Sequence, residues 1–264
     1  MINERQAVSG FELYYVKNMQ QYGLIGFPLI HSFSKQFFTR KFAEESIEAR
    51  YDLFELVSIS DFSRLLTQHE FSGLNVTIPY KQQVMDYLDE LDETAAEVGA
   101  VNVIKFIRKD GELRLKGYNS DVVGFEKSLK PHLLPQHRKA LILGTGGASK
   151  AVAYVLKKLG VEAVFVSRTK RQDCLTYAEL DREIMKTHKL IVNASPTGTF
   201  PHSDECPAIP YAYLDDECFL YDLVYNPVET LFLAKGKEHG AKGVNGMEML
   251  VEQAVAAWEI WQKD

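Results

Sequence analysis

Lys139-Ala140-Leu141-Ile142-Leu143-Gly144-Thr145-Gly146-Gly147-Ala148-Ser149 carries an aliphatic run straight into a glycine-rich turn. An apolar run bounded by glycines fits a buried strand, and the glycines fit the tight turn that opens a helix. Residues 150–159 read as that helix and 163–166 as the next strand, which makes one βαβ unit with a right-handed crossover. Glycine lets the backbone approach a pyrophosphate closely, and the N–H groups and dipole of the helix start stabilise its charge. Gly144, Gly146, Gly147 and Ala148 are therefore candidate cofactor contacts, with Ser149 at the third glycine position of the fingerprint. A plain strand-to-helix connection has the same composition; the βαβ context favours the dinucleotide.

Cofactor choice is read at the end of the second strand. Enzymes that use NAD often carry a carboxylate there for the ribose 2′-hydroxyl. This chain has Val166-Ser167-Arg168-Thr169-Lys170-Arg171, three bases and no acid. Arg168 offers a planar donor fork to a 2′-phosphate, and Ser167 and Thr169 add hydroxyls, so NADP is the expected cofactor. The plainer reading is a solvated charge run.

Outward from this unit, 190–193 and 219–223 read as two further buried strands, parallel because their apolar runs are unbroken. Upstream, 22–26, 49–56 and 71–77 read as strands, and 36–47 and 59–69 as amphipathic helices. Residues 100–107 and 113–115 flank Asp110-Gly111, a hairpin turn signal. Helices are expected over 82–88 and 247–261. The fold class is α/β with two domains, the second of Rossmann type. Residues 119–245 form that dinucleotide-binding domain and 19–118 the other, leaving 1–18 as an extension whose role stays open. An upstream start or an appended helix over 10–21 explains it equally well.

The chain has 264 residues, 46% hydrophobic and 25% charged, ordinary values for a globular protein. A formal charge of −6 argues against nucleic-acid or anionic-membrane partners. Cys174, Cys206 and Cys218 are an odd count without metal-ligand spacing, so no metal site or disulfide framework is expected. No run approaches a membrane span and no secretory signal is read, which together imply a cytoplasmic protein.

Two further segments carry chemistry. Gly73-Leu74-Asn75-Val76-Thr77-Ile78-Pro79-Tyr80-Lys81 ends in a lysine, and Gly117-Tyr118-Asn119-Ser120-Asp121-Val122-Val123-Gly124 sets an aspartate between glycines. A lysine and a carboxylate brought together form a proton-transfer pair, which interconversion of a ketone and an alcohol requires. Alone, Lys81 reads as a surface residue and Asp121 as an N-cap for a helix from Val122. With the glycine turn that follows, the ordered set resembles the shikimate dehydrogenase family, from about Tyr22 to the C-terminus.

That resemblance implies NADP-dependent, reversible reduction of 3-dehydroshikimate to shikimate, in the route to chorismate and the aromatic amino acids. It assigns catalysis to Lys81 and Asp121 and substrate hydroxyls to Asn75 and Thr77. It also implies substrate contacts for Asn102, Tyr225 in Asp222-Leu223-Val224-Tyr225-Asn226-Pro227, and Gln253 in the last helix. Ser32 and Ser34 in His31-Ser32-Phe33-Ser34 would hold the substrate carboxylate; helix capping is their plainer role. Lys35 replaces the proline that usually follows, Val103 the threonine after Asn102, and Ser120 the threonine before Asp121. Ser195, in the Asn193-Ala194-Ser195-Pro196-Thr197-Gly198 turn beneath the nicotinamide, and Gly246 complete the implied cofactor contacts. An NAD-dependent quinate/shikimate dehydrogenase and a non-catalytic sensor of pathway metabolites are the rival readings. Oligomeric state stays open, with a homodimer under consideration.

Overall fold

The computed structural model describes residues 19–29 and 32–263. The extension over 1–18 and His31 lie outside them. The chain divides into two compact units: one of residues up to Leu91, Val101–Tyr118 and Ile260–Asp264, the other of Asp92–Ala100 and Asn119–Glu259.

In the first unit β1 (Gln20–Gly26), α1 (Phe33–Glu44), β2 (Ala49–Glu55), α2 (Phe62–Gln68) and β3 (Phe71–Val76) alternate along the chain. They are followed by β4 (Glu90–Leu91), β5 (Val103–Lys109) and β6 (Glu112–Tyr118). The sheet order is β2-β1-β3-β5-β6-β4, parallel through β2, β1 and β3 and antiparallel from β3 to β6. The β5–β6 hairpin turns on Asp110 at φ 53° and Gly111 at φ 83°, the left-handed pair that a two-residue primed turn requires. The core is aromatic. Phe38 stacks on Tyr51 at 4.9 Å, and the Trp261 ring lies 4.8 Å from that of Tyr22. Trp261 is anchored by its indole N–H, which donates to the Ile104 carbonyl at 3.1 Å. Gly73 is dictated by this packing, because a Cβ there would sit 2.4 Å from the indole nitrogen.

The second unit holds α3 (Glu93–Val98), α4 (Asp121–Leu129), β7 (Lys139–Leu143), α5 (Gly147–Lys158) and β8 (Glu162–Ser167). Then come β9 (Cys174–Thr176), α6 (Arg182–Thr187), β10 (Leu190–Asn193), β11 (Phe219–Asp222), α7 (Leu231–Glu238) and β12 (Lys242–Val244). The final helix, α8 (Met247–Gln262), starts in this unit and ends in the first. The sheet order is β12-β11-β10-β7-β8-β9, parallel throughout. Alternate residues of β7 feed different cores: Ala140 and Ile142 on one face, Leu141 and Leu143 on the other. That is why the sequence there is an unbroken apolar run. The strand order reverses between β7 and β10, the position where open α/β sheets bind ligands beyond the strand ends.

Two expectations need correction. Residues 82–88 form a short 3-10 segment, Gln83–Tyr87, in place of an α-helix. Asp121 is the first residue of α4, while Ser120 stands at its N-cap position without a side-chain capping bond. The capping is done by Asn119, whose Oδ1 accepts the Val122 N–H at 3.3 Å.

Candidate functional site

In the first unit the candidate substrate residues gather at the C-terminal ends of β1 and β3. Asn75 is 4% exposed and Asn102 3%, so both amides need internal partners. Asn75 Nδ2 donates to the Asn102 carbonyl at 3.2 Å, and the Val76 N–H reaches the same oxygen at 2.9 Å. The other side of the Asn75 amide is fixed by the Tyr51 phenol, which donates to Oδ1 at 2.7 Å. Burial pushes the Tyr51 phenol well above its ordinary pKa, so it stays a neutral donor. Ser34 hydrogen bonds to the same phenol. Thr77 docks on β1 through its N–H to the Ile25 carbonyl at 2.9 Å. The Lys81 carbonyl accepts from the Val101 N–H at 2.7 Å, which ties the lysine segment to the residue before Asn102.

Ser32 does cap α1, its hydroxyl oxygen accepting the Lys35 N–H at 3.2 Å. That contact leaves the hydroxyl hydrogen able to donate to an anion, so capping and binding coexist at this residue. Tyr51, which joins Ser34 to Asn75, escaped the sequence reading. A tyrosine in an aromatic-rich strand carries no local mark of its partners.

In the second unit Asn119, Ser120 and Asp121 are all buried. Asn119 Nδ2 donates to the Ala100 carbonyl at 2.8 Å, and Ser120 lies 3.5 Å from Gln253 Oε1. Gly124 makes this possible, since a Cβ there would approach the Met249 carbonyl to 2.5 Å and hold α8 away from α4. Gln253 is thereby placed next to the residue preceding Asp121. The Asp121 carboxylate also sits in the first turn of α4, the end of a helix that favours negative charge.

The glycine turn follows β7. Gly144 has φ 122°, and a Cβ there would lie 3.0 Å from the Ala194 carbonyl, so only glycine fits without strain. Gly146 caps α5 and a Cβ there would meet nothing within 4 Å, leaving backbone N–H groups at an open helix start. Ser149, in the third glycine position, is fully buried and its hydroxyl donates to the Gly146 carbonyl at 2.6 Å. The serine therefore braces the turn from the third glycine position. Gly147 and Ala148 form the first turn of α5. A dinucleotide pyrophosphate fits this cradle.

At the end of β8 Ser167 is buried and accepts the Thr169 N–H at 3.4 Å, while Arg168 and Thr169 are exposed. Arg171 donates to Thr145 Oγ1 at 3.2 Å, so a second guanidinium lies against the glycine turn. Lys170 is instead paired with Glu179 at 2.6 Å. Ser195 follows β10, and Tyr225, half-buried, follows β11; burial raises the tyrosine's pKa. A Cβ on Gly246 would lie 2.2 Å from the Leu223 carbonyl, so that position must be glycine. Among the described residues no group of three His, Cys, Asp or Glu side chains could hold a metal ion. No described helix is long and apolar enough to cross a membrane.

Residues 24–104 match the shikimate dehydrogenase substrate-binding domain. The NADP(+) shikimate dehydrogenase of Methanococcus maripaludis is 34% identical, over 90% of each chain. That of Carboxydothermus hydrogenoformans is 36% identical over 90% of each. The crystal structure of the Thermus thermophilus enzyme with NADP(H) and shikimate superposes with a TM-score of 0.80. It is 30% identical and covers 92% of this chain and 94% of its own. The chain belongs to the shikimate dehydrogenase family.

Proposed function

We propose that this chain is an NADP-dependent shikimate dehydrogenase, reducing 3-dehydroshikimate reversibly to shikimate on the way to chorismate and the aromatic amino acids. The observation that carries the reading is the buried knot in which Asn75, Asn102 and the Lys81 segment are joined by the Asn102 carbonyl and the Val101–Lys81 bond. By the family resemblance, residues 19–118 with 246–264 are taken as the substrate-binding and catalytic part and 119–245 as the NADP-binding part. This functional division differs from the compact units, which group 92–100 and 246–259 with 119–245.

When bound, NADPH would supply the hydride for reduction, and NADP+ would accept it in the reverse oxidation. Gly144, Gly146, Gly147 and Ala148 would hold its pyrophosphate, Ser167, Arg168 and Thr169 its 2′-phosphate, and Ser195 and Gly246 the nicotinamide end. Lys81 gives a proton to the substrate's carbonyl oxygen in reduction and takes it back in oxidation. Asp121 orients Lys81 and a substrate hydroxyl. Ser32 and Ser34 bind the substrate carboxylate; Asn75, Thr77, Asn102, Tyr225 and Gln253 fix the ring. Positioning of this kind supplies much of the rate, because the reacting atoms must meet at contact distance. The cytoplasm is the expected location, small molecules the expected partners, and nucleic acid is not one of them.

The test is absorbance at the nicotinamide band with purified protein and shikimate, in parallel with NADP, NAD and quinate. Reduction of NADP by shikimate, well above the other combinations, is expected. Turnover mainly with NAD or quinate would move the chain to the quinate/shikimate class, and metabolite binding without turnover would make it a sensor.

A further inference from the structure

The C-terminal ends of β10 and β11 carry a polar network that the assignments above leave unused. Asn193 and Asp222 face each other in register as the last residues of their strands, and both are 0% exposed. Asp222 Oδ1 accepts from Asn193 Nδ2 at 2.9 Å and from the Val224 N–H at 3.0 Å. Its Oδ2 accepts the hydroxyl of Thr230, the N-cap of α7, at 2.6 Å. Asn193 passes the constraint on: its Oδ1 accepts both the N–H of Ser195 at 3.1 Å and the Ser195 hydroxyl at 2.7 Å, and its Nδ2 reaches the Thr197 carbonyl at 3.2 Å.

An uncompensated buried carboxylate is costly, so such a group persists where its hydrogen bonds fix a geometry that apolar packing would not. Here the geometry is that of two loops. The Asn193 bonds set the 194–197 turn, whose first residue also donates its N–H to the carbonyl of Leu143, just before the glycine turn, at 3.0 Å. The Val224 bond sets the segment leading to Tyr225, and the Val224 carbonyl in turn accepts the Gly246 N–H at 3.1 Å. With its hydrogen committed to Asn193 and one lone pair accepting the Thr197 N–H at 3.4 Å, the Ser195 hydroxyl presents its second lone pair as an acceptor, suited to an amide N–H such as that of a carboxamide.

We propose that Asp222, acting through Asn193, is a positioning residue that holds the Ser195 and Tyr225 loops in place for the nicotinamide half of the cofactor. This rests on the NADP reading given above. The clasp lies at the β10 and β11 ends, whereas the 2′-phosphate residues lie at the end of β8, so the two halves of the cofactor respond differently to its loss.

The experiment is titration of NADPH by its fluorescence and of adenosine 2′,5′-bisphosphate by calorimetry, on wild type, Asp222→Ala and Asp222→Asn. In Asp222→Ala the NADPH Kd is expected to rise about 10-fold and the bisphosphate Kd to stay within about 2-fold. Asp222→Asn keeps a carbonyl acceptor for Asn193 and Val224, so about a 3-fold rise for NADPH alone is expected. It also serves where the alanine variant does not fold. Equal weakening of both ligands would reduce the clasp to general support of the unit, and unchanged NADPH affinity in both variants would overturn it. If wild type binds neither ligand, the NADP reading falls and the proposal with it.

Discussion

The two units build their candidate sites from different materials. In the second, the cofactor cradle is backbone shape: Gly144 at positive φ, an open Gly146, and a Gly246 pressed onto the Leu223 carbonyl. In the first, the site is a set of side chains held by one another, Tyr51 to Asn75 and Asn75 to Asn102. The cores differ to match. Aliphatic residues alternate into two faces of a parallel sheet in one, and aromatic rings stack behind a mixed sheet in the other. A pyrophosphate is large, charged and the same in every nicotinamide dinucleotide, so backbone N–H groups suffice to hold it. A small polyhydroxylated acid must be distinguished hydroxyl by hydroxyl, which takes oriented amides and hydroxyls.

The largest break in this contrast is expected from Lys81→Ala. Removing a proton donor at the reacting oxygen costs about 10²- to 10⁴-fold in kcat, with the NADPH Kd unchanged because the cradle is in the other unit. Steady-state kinetics with a separate NADPH titration decides it, and a variant retaining wild-type kcat removes Lys81 from the chemistry.

Next in size is a pH effect on stability centred on Asp222. Burial raises its carboxyl to about 6 from an ordinary 3.8, against the lowering by its hydrogen bonds from Thr230, Val224 and Asn193. Because the folded value is the higher one, this group's stabilisation is full below about pH 3.8 and is lost as pH rises through about 6. Two pH units at about 1.4 kcal/mol each put the loss near 3 kcal/mol. Urea midpoints of wild type and Asp222→Asn should therefore diverge between pH 4.5 and 7.5, in favour of the variant at the higher pH. A constant difference between the two would contradict this assignment.

Arg168→Ala is expected to weaken NADP by about 10- to 100-fold, the value of a charge-assisted hydrogen bond, and to leave NAD unaffected. An equal loss with both cofactors would place Arg168 away from the 2′-phosphate. The smallest effects separate the two turn glycines. Gly144→Ala forces a side chain into a left-handed backbone near the Ala194 carbonyl and should destabilise the fold by about 1–2 kcal/mol. Gly146→Ala, at φ −83° with open space, should leave stability within about 0.5 kcal/mol while its methyl impedes NADPH. Thermal melts of the two variants make the comparison.

The parallel strands were legible because residues buried on both faces leave an unbroken apolar run, and the hairpin because Asp110-Gly111 suits a left-handed turn. The short elements β4, β9, α3 and α6 were not, since segments of this length owe their form to neighbours more than to propensity. The Gln83–Tyr87 segment shows the same limit, helical in composition but confined to a tighter 3-10 path. At the α4 start, an acidic residue before an apolar run suggested a cap, yet Asn119 takes that role and Asp121 enters the helix.

The sequence by itself determined the strand–glycine–helix unit, the basic end of β8 and the identity of the residues able to move a proton or bind a hydroxyl. These are local properties: hydrophobic period, backbone permissiveness of glycine, and side-chain chemistry. Only the tertiary structure decided which of those groups share hydrogen bonds. Asn193 and Asp222 stand 29 residues apart in the chain and meet on adjacent strands. Tyr51 and Asn75 stand 24 apart and meet across β1, which β2 and β3 flank. A hydrogen bond depends on distance and angle to within fractions of an ångström, and sheet register sets those where composition cannot.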